Sequence, residues 1–145
     1  MTDYARYVWL FVPTLWLGMV VAISFLEAPI KFRAPGVTVP VGLGIGRLVF
    51  RALNGVEFVL LIVLSAAFDA GRPETPALIM LVSVAAVLVV QVIAVRPVLS
   101  RRSNRILAGE ERPRSRMHLV YIALDLAKVV LLTALAFTLA AALLA

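Results

Sequence analysis

Residues 77–95 read ALIMLVSVAAVLVVQVIAV, nineteen residues with no charge and only Ser83 and Gln91 as polar side chains. A helix that crosses a bilayer needs about 20 mainly apolar residues. This run meets that length, and three more runs accompany it: 7–25 (YVWLFVPTLWLGMVVAISF), 47–68 (RLVFRALNGVEFVLLIVLSAAF) and 118–144 (HLVYIALDLAKVVLLTALAFTLAAALL). Over the whole chain, 63% of the 145 residues are hydrophobic and 15% charged. A soluble domain of this size needs more polar residues to cover its surface. The expectation is an all-α integral membrane protein, with four transmembrane helices in an antiparallel bundle forming one domain over residues 1–145. The first run is longer than a signal-peptide core and lacks a strongly basic leader, so it reads as a retained span.

Loop charge predicts orientation. The connection 96–117 carries Arg96, Arg101, Arg102, Arg105, Arg112, Arg114 and Arg116 against Glu110 and Glu111. The connection 26–46 adds Lys31 and Arg33, followed by Arg47 and Arg51, whereas the link between the second and third runs has only Arg72. Basic loops stay in the cytoplasm, so both termini face outward, with Arg6 as a weak opposing signal. The localisation expected from this is a multi-pass protein of the bacterial inner membrane. The +6 formal charge is thereby a matter of topology and of anionic lipid headgroups. Nucleic acid is excluded as a partner because no base-reading motif goes with the charge. Residues 97–109, PVLSRRSNRILAG, fit a solvated loop, an amphipathic surface segment or a helical extension of the third run.

Ionisable and amide groups inside the runs carry the functional signal, because such groups are costly in a bilayer and turn inward. Asn54 and Glu57 lie about two to three turns into the second run, and Gln91 lies about one to two turns from the end of the third. His118, Tyr121, Asp125 and Lys128 follow one another at spacings of three, four and three, which puts them on one helical stripe. All occupy the same half of the bilayer, so they predict a polar cavity open toward the cytoplasm. Candidate pairings are Glu57 with Lys128 or His118, and Arg51 with Asp125. Glu57, Asp125, Lys128, His118, Tyr121, Asn54 and Gln91 are candidates for substrate or proton coupling. Asp125 with Lys128 reads equally as a structural pair, and Asn54 and Gln91 as helix–helix contacts. Glu27, Lys31, Arg33, Arg47 and Arg51 are candidates for an entrance or for lipid headgroups. Trp9 and Trp16 read as interface anchors or packing residues.

Several chemistries are argued against. The absence of cysteine excludes thiolate, disulfide and iron–sulfur chemistry. One histidine gives neither bis-histidine haem ligation nor a spaced zinc motif, so no metal, cofactor or catalytic residue is expected. GLGIG (42–46) matches neither phosphate-loop pattern. With Pro29, Pro35 and Pro40, the stretch around it reads as irregular chain along the membrane surface.

The segments SFLEAPIKF, GRLVFRALNGVE and HLVYIALDLAK, with Phe25, Ala28, Pro29 and Phe32, resemble small bacterial membrane proteins of an uncharacterised four-helix type. That resemblance implies a four-helix membrane bundle and points to no established activity. Three functions remain open: a small transport protein or transport accessory acting as a homo-oligomer, a non-catalytic subunit of a larger membrane complex, and a lipid- or quinone-binding enzyme.

Overall fold

The computed structural model describes residues 1–109 and 116–145; the charges expected at Glu110, Glu111, Arg112 and Arg114 lie outside the described residues. Every described element is helical, with no strand among them. Four helices are long and apolar enough to cross a membrane: α1 (Asp3–Arg33), α2 (Val39–Gly71), α3 (Thr75–Leu107) and α4 (Arg116–Leu144).

These helices reach beyond the apolar runs. The expected connection 26–46 is almost entirely helix, with only residues 34–38 between α1 and α2. Of the three prolines expected to interrupt it, only Pro35 falls in the break; Pro29 lies within α1. Pro40 occupies the first turn of α2, where a missing N–H costs no hydrogen bond. Thr38 caps that turn, its Oγ1 accepting from the Val41 N–H at 3.4 Å. Pro35 lies in the turn itself, beside Gly36, whose φ of +81° is in the left-handed region. Likewise, 96–107 is not a loop but the last part of α3. Pro76 in the first turn of α3 follows the same rule.

Two of the helices change pitch. Within α1, Val21–Glu27 is π-helical, and within α3, Gln91–Val95 is π-helical. In each, an N–H reaches back five residues: Ala28 to the Ile23 carbonyl, and Arg96 to the Gln91 carbonyl.

Helix α1 packs against both α2 and α4, and α4 packs against α3. Near their connection α2 and the first part of α3 (Thr75–Val90) touch little, and a cleft of about 270 Å³ lies between them, lined by apolar residues such as Leu61, Phe68 and Leu81, with Ser65 and Asp69; the last part of α3, Arg96–Leu107, returns to α2. The core is layered. One apolar layer contains Trp9, Leu64, Phe68, Leu81 and Leu139. The next contains Trp16, Leu60, Val84, Leu88 and Leu132. A polar layer follows, and it contains every buried charge among the described residues. Large apolar side chains point outward in turn, among them Leu48, Ile93 and Phe137, each about 70% exposed or more. Apolar side chains thus cover the outside as well as most of the core, unlike the charged surface of a water-soluble bundle.

Glycines permit close approach at two places. Gly42 and Gly46, four apart on one face of α2, lie under Phe32 and Lys31 of α1, and a Cβ at Gly46 would stand 2.7 Å from Lys31 Nζ. GLGIG is thus a helix-packing surface rather than an irregular segment. At the opposite end, a Cβ on Gly71 would come 2.5 Å from Trp9 Cζ2. Trp9 has nowhere to retreat: it is buried, donates from Nε1 to the Ala67 carbonyl at 3.3 Å and meets Phe68 edge-on. Gly71→Ala should therefore destabilise the fold by about 1–3 kcal/mol through overpacking. Gly18→Ala, with no atom within 4 Å of the new Cβ, should leave it unchanged. Thermal unfolding in detergent compares the two, and equal midpoints would show that the Trp9 contact does not constrain the helices.

Candidate functional site: a buried three-charge network

The polar layer is built from all four helices. Asn54 and Glu57 are three residues apart on α2, so they share a face, and Asn54 Nδ2 donates to Glu57 Oε2 at 2.9 Å. On α4, Asp125 and Lys128 have the same spacing, with Nζ 3.1 Å from Asp125 Oδ1. The two helices are joined by Lys128 Nζ, which donates to Glu57 Oε1 at 2.7 Å. Helix α1 contributes Trp16, whose Nε1 donates to Glu57 Oε1 at 2.9 Å. From α3, Gln91 Nε2 donates to Asp125 Oδ1 at 2.8 Å and to the Tyr121 carbonyl at 3.5 Å. Arg96 Nη1, also from α3, donates to Asn54 Oδ1 at 3.1 Å.

Glu57, Gln91 and Lys128 are fully buried, and Asn54 and Asp125 are 2% exposed. A buried ion pair stabilises only if the remaining hydrogen-bonding capacity is met. Glu57 meets that condition with donors from Lys128, Trp16 and Asn54. The charge count within direct reach is uneven, with two carboxylates on one ammonium. The next cation, Arg96, is held one residue farther out, through Asn54. The side chains expected to line an open cavity are therefore bonded to one another and closed to solvent.

Of the expected pairings, Glu57 with Lys128 is present. Arg51 does not reach Asp125; it is exposed on α2. Six residues along an α-helix separate Arg51 from Glu57 by about 120° around the axis, which turns it away from the core. Arg96 is the cation that enters instead, and the π turn explains how. Five residues along an α-helix separate side chains by about 140°, which would point Arg96 away from the core when Gln91 points in. The wider i→i+5 turn from Gln91 to Arg96 brings the two back toward one face. Arg96 and Trp16 are the network members that sequence reading passed over. One was counted with the topology-setting arginines, the other with the packing aromatics.

The remaining candidates lie nearer the basic end. His118 is exposed at the start of α4. Tyr121 is buried at 7% exposure, its ring edge-on to Phe50 at 5.6 Å. Glu27 and Lys31 form an i,i+4 pair at 3.7 Å, with Lys31 Nζ 5.6 Å from the Phe32 ring centre and 5.9 Å from that of Phe50. Arg33 is exposed, and exposed Arg47 bonds through Nη1 to the Asn104 side chain on α3. No group of three or more metal-ligating side chains is present among the described residues.

No protein-family model, curated protein or solved structure matches the chain.

Removing one partner of a buried pair leaves an uncompensated charge and costs about 3–5 kcal/mol. Lys128→Met is expected to lose stability on that scale. The triple variant Glu57→Gln, Asp125→Asn, Lys128→Met should recover much of it, because no charge is then left unpaired. Thermal unfolding in detergent micelles measures both, and an equal loss in the two would show that charge pairing is not what holds the layer.

Proposed function

We propose that the chain is an integral membrane protein whose four helices cross the bilayer of a bacterial plasma membrane as an antiparallel bundle. The basic loops face the cytoplasm and both termini face outward. The four apolar helices and their outward-facing Leu, Ile and Phe side chains support insertion, and the arginine distribution supports the orientation. The proposed activity is that of a small transport protein or transport accessory, with Glu57, Lys128 and Asp125 as its coupling site.

The observation that carries this reading is one lysine ammonium bonded at once to two carboxylates on different helices, 2.7 Å from Glu57 and 3.1 Å from Asp125, with Lys128 fully buried. Intramembrane ionisable residues are expensive and mark ion and substrate pathways. A proton delivered to either carboxylate neutralises it and weakens one of the two bonds to Lys128. The ammonium then shifts toward the carboxylate that stays ionised. Because Glu57 is on α2 and Asp125 on α4, that choice alters the link between the two helices. Proton binding thereby biases an element with two arrangements, which is what coupling requires. Four spans are few for a complete alternating-access carrier, so the working form is a homo-oligomer or a complex with a larger membrane partner.

The test is reconstitution of the purified chain in liposomes loaded with a pH-sensitive dye. Under an imposed potential the wild type should acidify or alkalinise the lumen faster than empty vesicles, and Glu57→Gln should fall to the empty-vesicle rate. Wild-type vesicles no leakier than empty ones, with or without candidate solutes, would remove the transport reading. Undiminished flux in Glu57→Gln would remove that residue from coupling.

A further inference from the structure

Four buried side-chain atoms have no hydrogen-bond partner among the described residues: Ser24 Oγ, Glu27 Oε2 (which faces Lys31 Nζ at 3.7 Å), Gln91 Oε1 and the Tyr121 hydroxyl. They are not scattered. Gln91 and Tyr121 belong to the polar layer, and Ser24 and Glu27 lie in the π-helical part of α1 toward the same end. Three of the four sit in the two π segments, a geometry frequent at functional sites.

The orientation of the Gln91 amide follows from its partners. Its Nε2 faces Asp125 Oδ1 and the Tyr121 carbonyl, both acceptors. Exchanging the amide ends would set an oxygen against a carboxylate, so Oε1 faces away and requires a donor from elsewhere. The Tyr121 hydroxyl lies next to the Asn54 side chain, short of full hydrogen-bond geometry, and within electrostatic range of Asp125, Glu57 and Arg96. Buried polar atoms that protein does not satisfy are met by ordered water, provided the surroundings are polar. These surroundings are polar: Asp125 and Lys128 of α4, Glu57 and Asn54 of α2, and Arg96 of α3. On its other side the Tyr121 ring meets Phe50, and beyond Phe50 stands the Lys31 ammonium, paired with Glu27.

From this geometry we infer that Gln91 Oε1 and the Tyr121 hydroxyl form a binding site for internal water. Phe50 is the apolar plug that divides this site from a second hydrated point at Ser24 and Glu27. Water at the inner site places a proton carrier beside Asp125. A hydronium arriving there passes its proton to the carboxylate, leaving a neutral acid and a water molecule, while Lys128 stays paired to Glu57. The use of this route rests on the coupling function proposed above, but its existence does not.

Hydroxyl-radical footprinting of the chain in lipid nanodiscs, with heavy-oxygen water exchanged in before exposure, tests the inference without any flux measurement. Tyr121, 7% exposed, should take up label several-fold above Trp9, which is 2% exposed and lies in an apolar layer. Gln91→Leu should lower the Tyr121 label. Phe50→Ala should speed exchange of heavy oxygen into Tyr121, and Phe50→Leu gives a milder opening should the alanine variant not fold. Label at Tyr121 no higher than at Trp9 would overturn the water site. Exchange unaffected in a folded Phe50 variant would overturn the plug, and label unchanged in Gln91→Leu would overturn the shared site. Hydration without flux in liposomes would instead retain the water site and discard the coupling function.

Discussion

The Lys128 ammonium is the point on which the arrangement of the helices depends. A cation closed off from water must be met by anions at close range, and here it is met by one from its own helix and one from α2. Each anion in turn demands donors, which come from α1 through Trp16 and from α3 through Gln91. Satisfying one charge thus involves all four helices. In an apolar solvent this matters more than in water. In the proposed membrane-inserted state, burying one more leucine against another helix gains little over leaving it in lipid, so helix association relies on packing and on hydrogen bonds between helices. A layer holding seven named hydrogen-bonded or charged partners fixes the register of the helices against one another.

The π segments follow from the same demand. An α-helix presents residues to one face every three or four positions, and the polar layer needs Gln91 and Arg96, five apart. Inserting a wide turn reconciles them, and the turn falls at the level where both side chains are used. The π turn in α1 similarly lies between Trp16, which bonds Glu57, and Lys31, which lies over Gly46 and Phe50. The glycine pair Gly42 and Gly46 belongs with that second contact. It lets the end of α1 lie close along the start of α2, which brings Glu27 and Lys31 to the edge of Phe50.

Much of this was legible in the residues. Long uncharged runs announced the helices, and Glu57, Asp125 and Lys128 stood out because apolar runs contain so few charges. Their common depth also foretold that Asn54, Gln91 and Tyr121 would share a layer with them. The members that escaped notice did so for definite reasons. Trp16 lies in an apolar run, and its single polar atom carries no weight in a reading based on hydropathy. Arg96 falls outside the helical period that contains Gln91, and only the π turn brings it back. Arg51 looked better placed because two three-residue steps, through Asn54, connect it to Glu57, but those two steps leave it about 120° away around the axis. Helix ends were misjudged where proline and glycine were taken as breakers. At the first turn proline breaks nothing, and within α2 glycine serves contact rather than flexibility.

The balance of charge separates a structural pair from a responsive one. One lysine and one carboxylate would have sufficed to lock α2 to α4, and α4 alone already carries such a pair at three-residue spacing. The second carboxylate adds desolvation cost without adding a cation at bonding distance. Arg96, the cation nearest by connectivity, is spent on Asn54 and reaches Glu57 only through that amide. A site built for rigidity would discard the extra acid, because an uncompensated charge in an apolar medium is the most costly element it contains. Retaining it makes sense where the layer must exist in two states of charge, with Lys128 able to satisfy either partner. The two carboxylates differ in the way such a role requires. Glu57 is enclosed by Trp16, Asn54 and Lys128, whereas Asp125 adjoins Gln91, whose oxygen still lacks a donor among the described residues. Under the coupling function proposed above, the proton would enter at Asp125, with Glu57 as the anion that holds the ammonium.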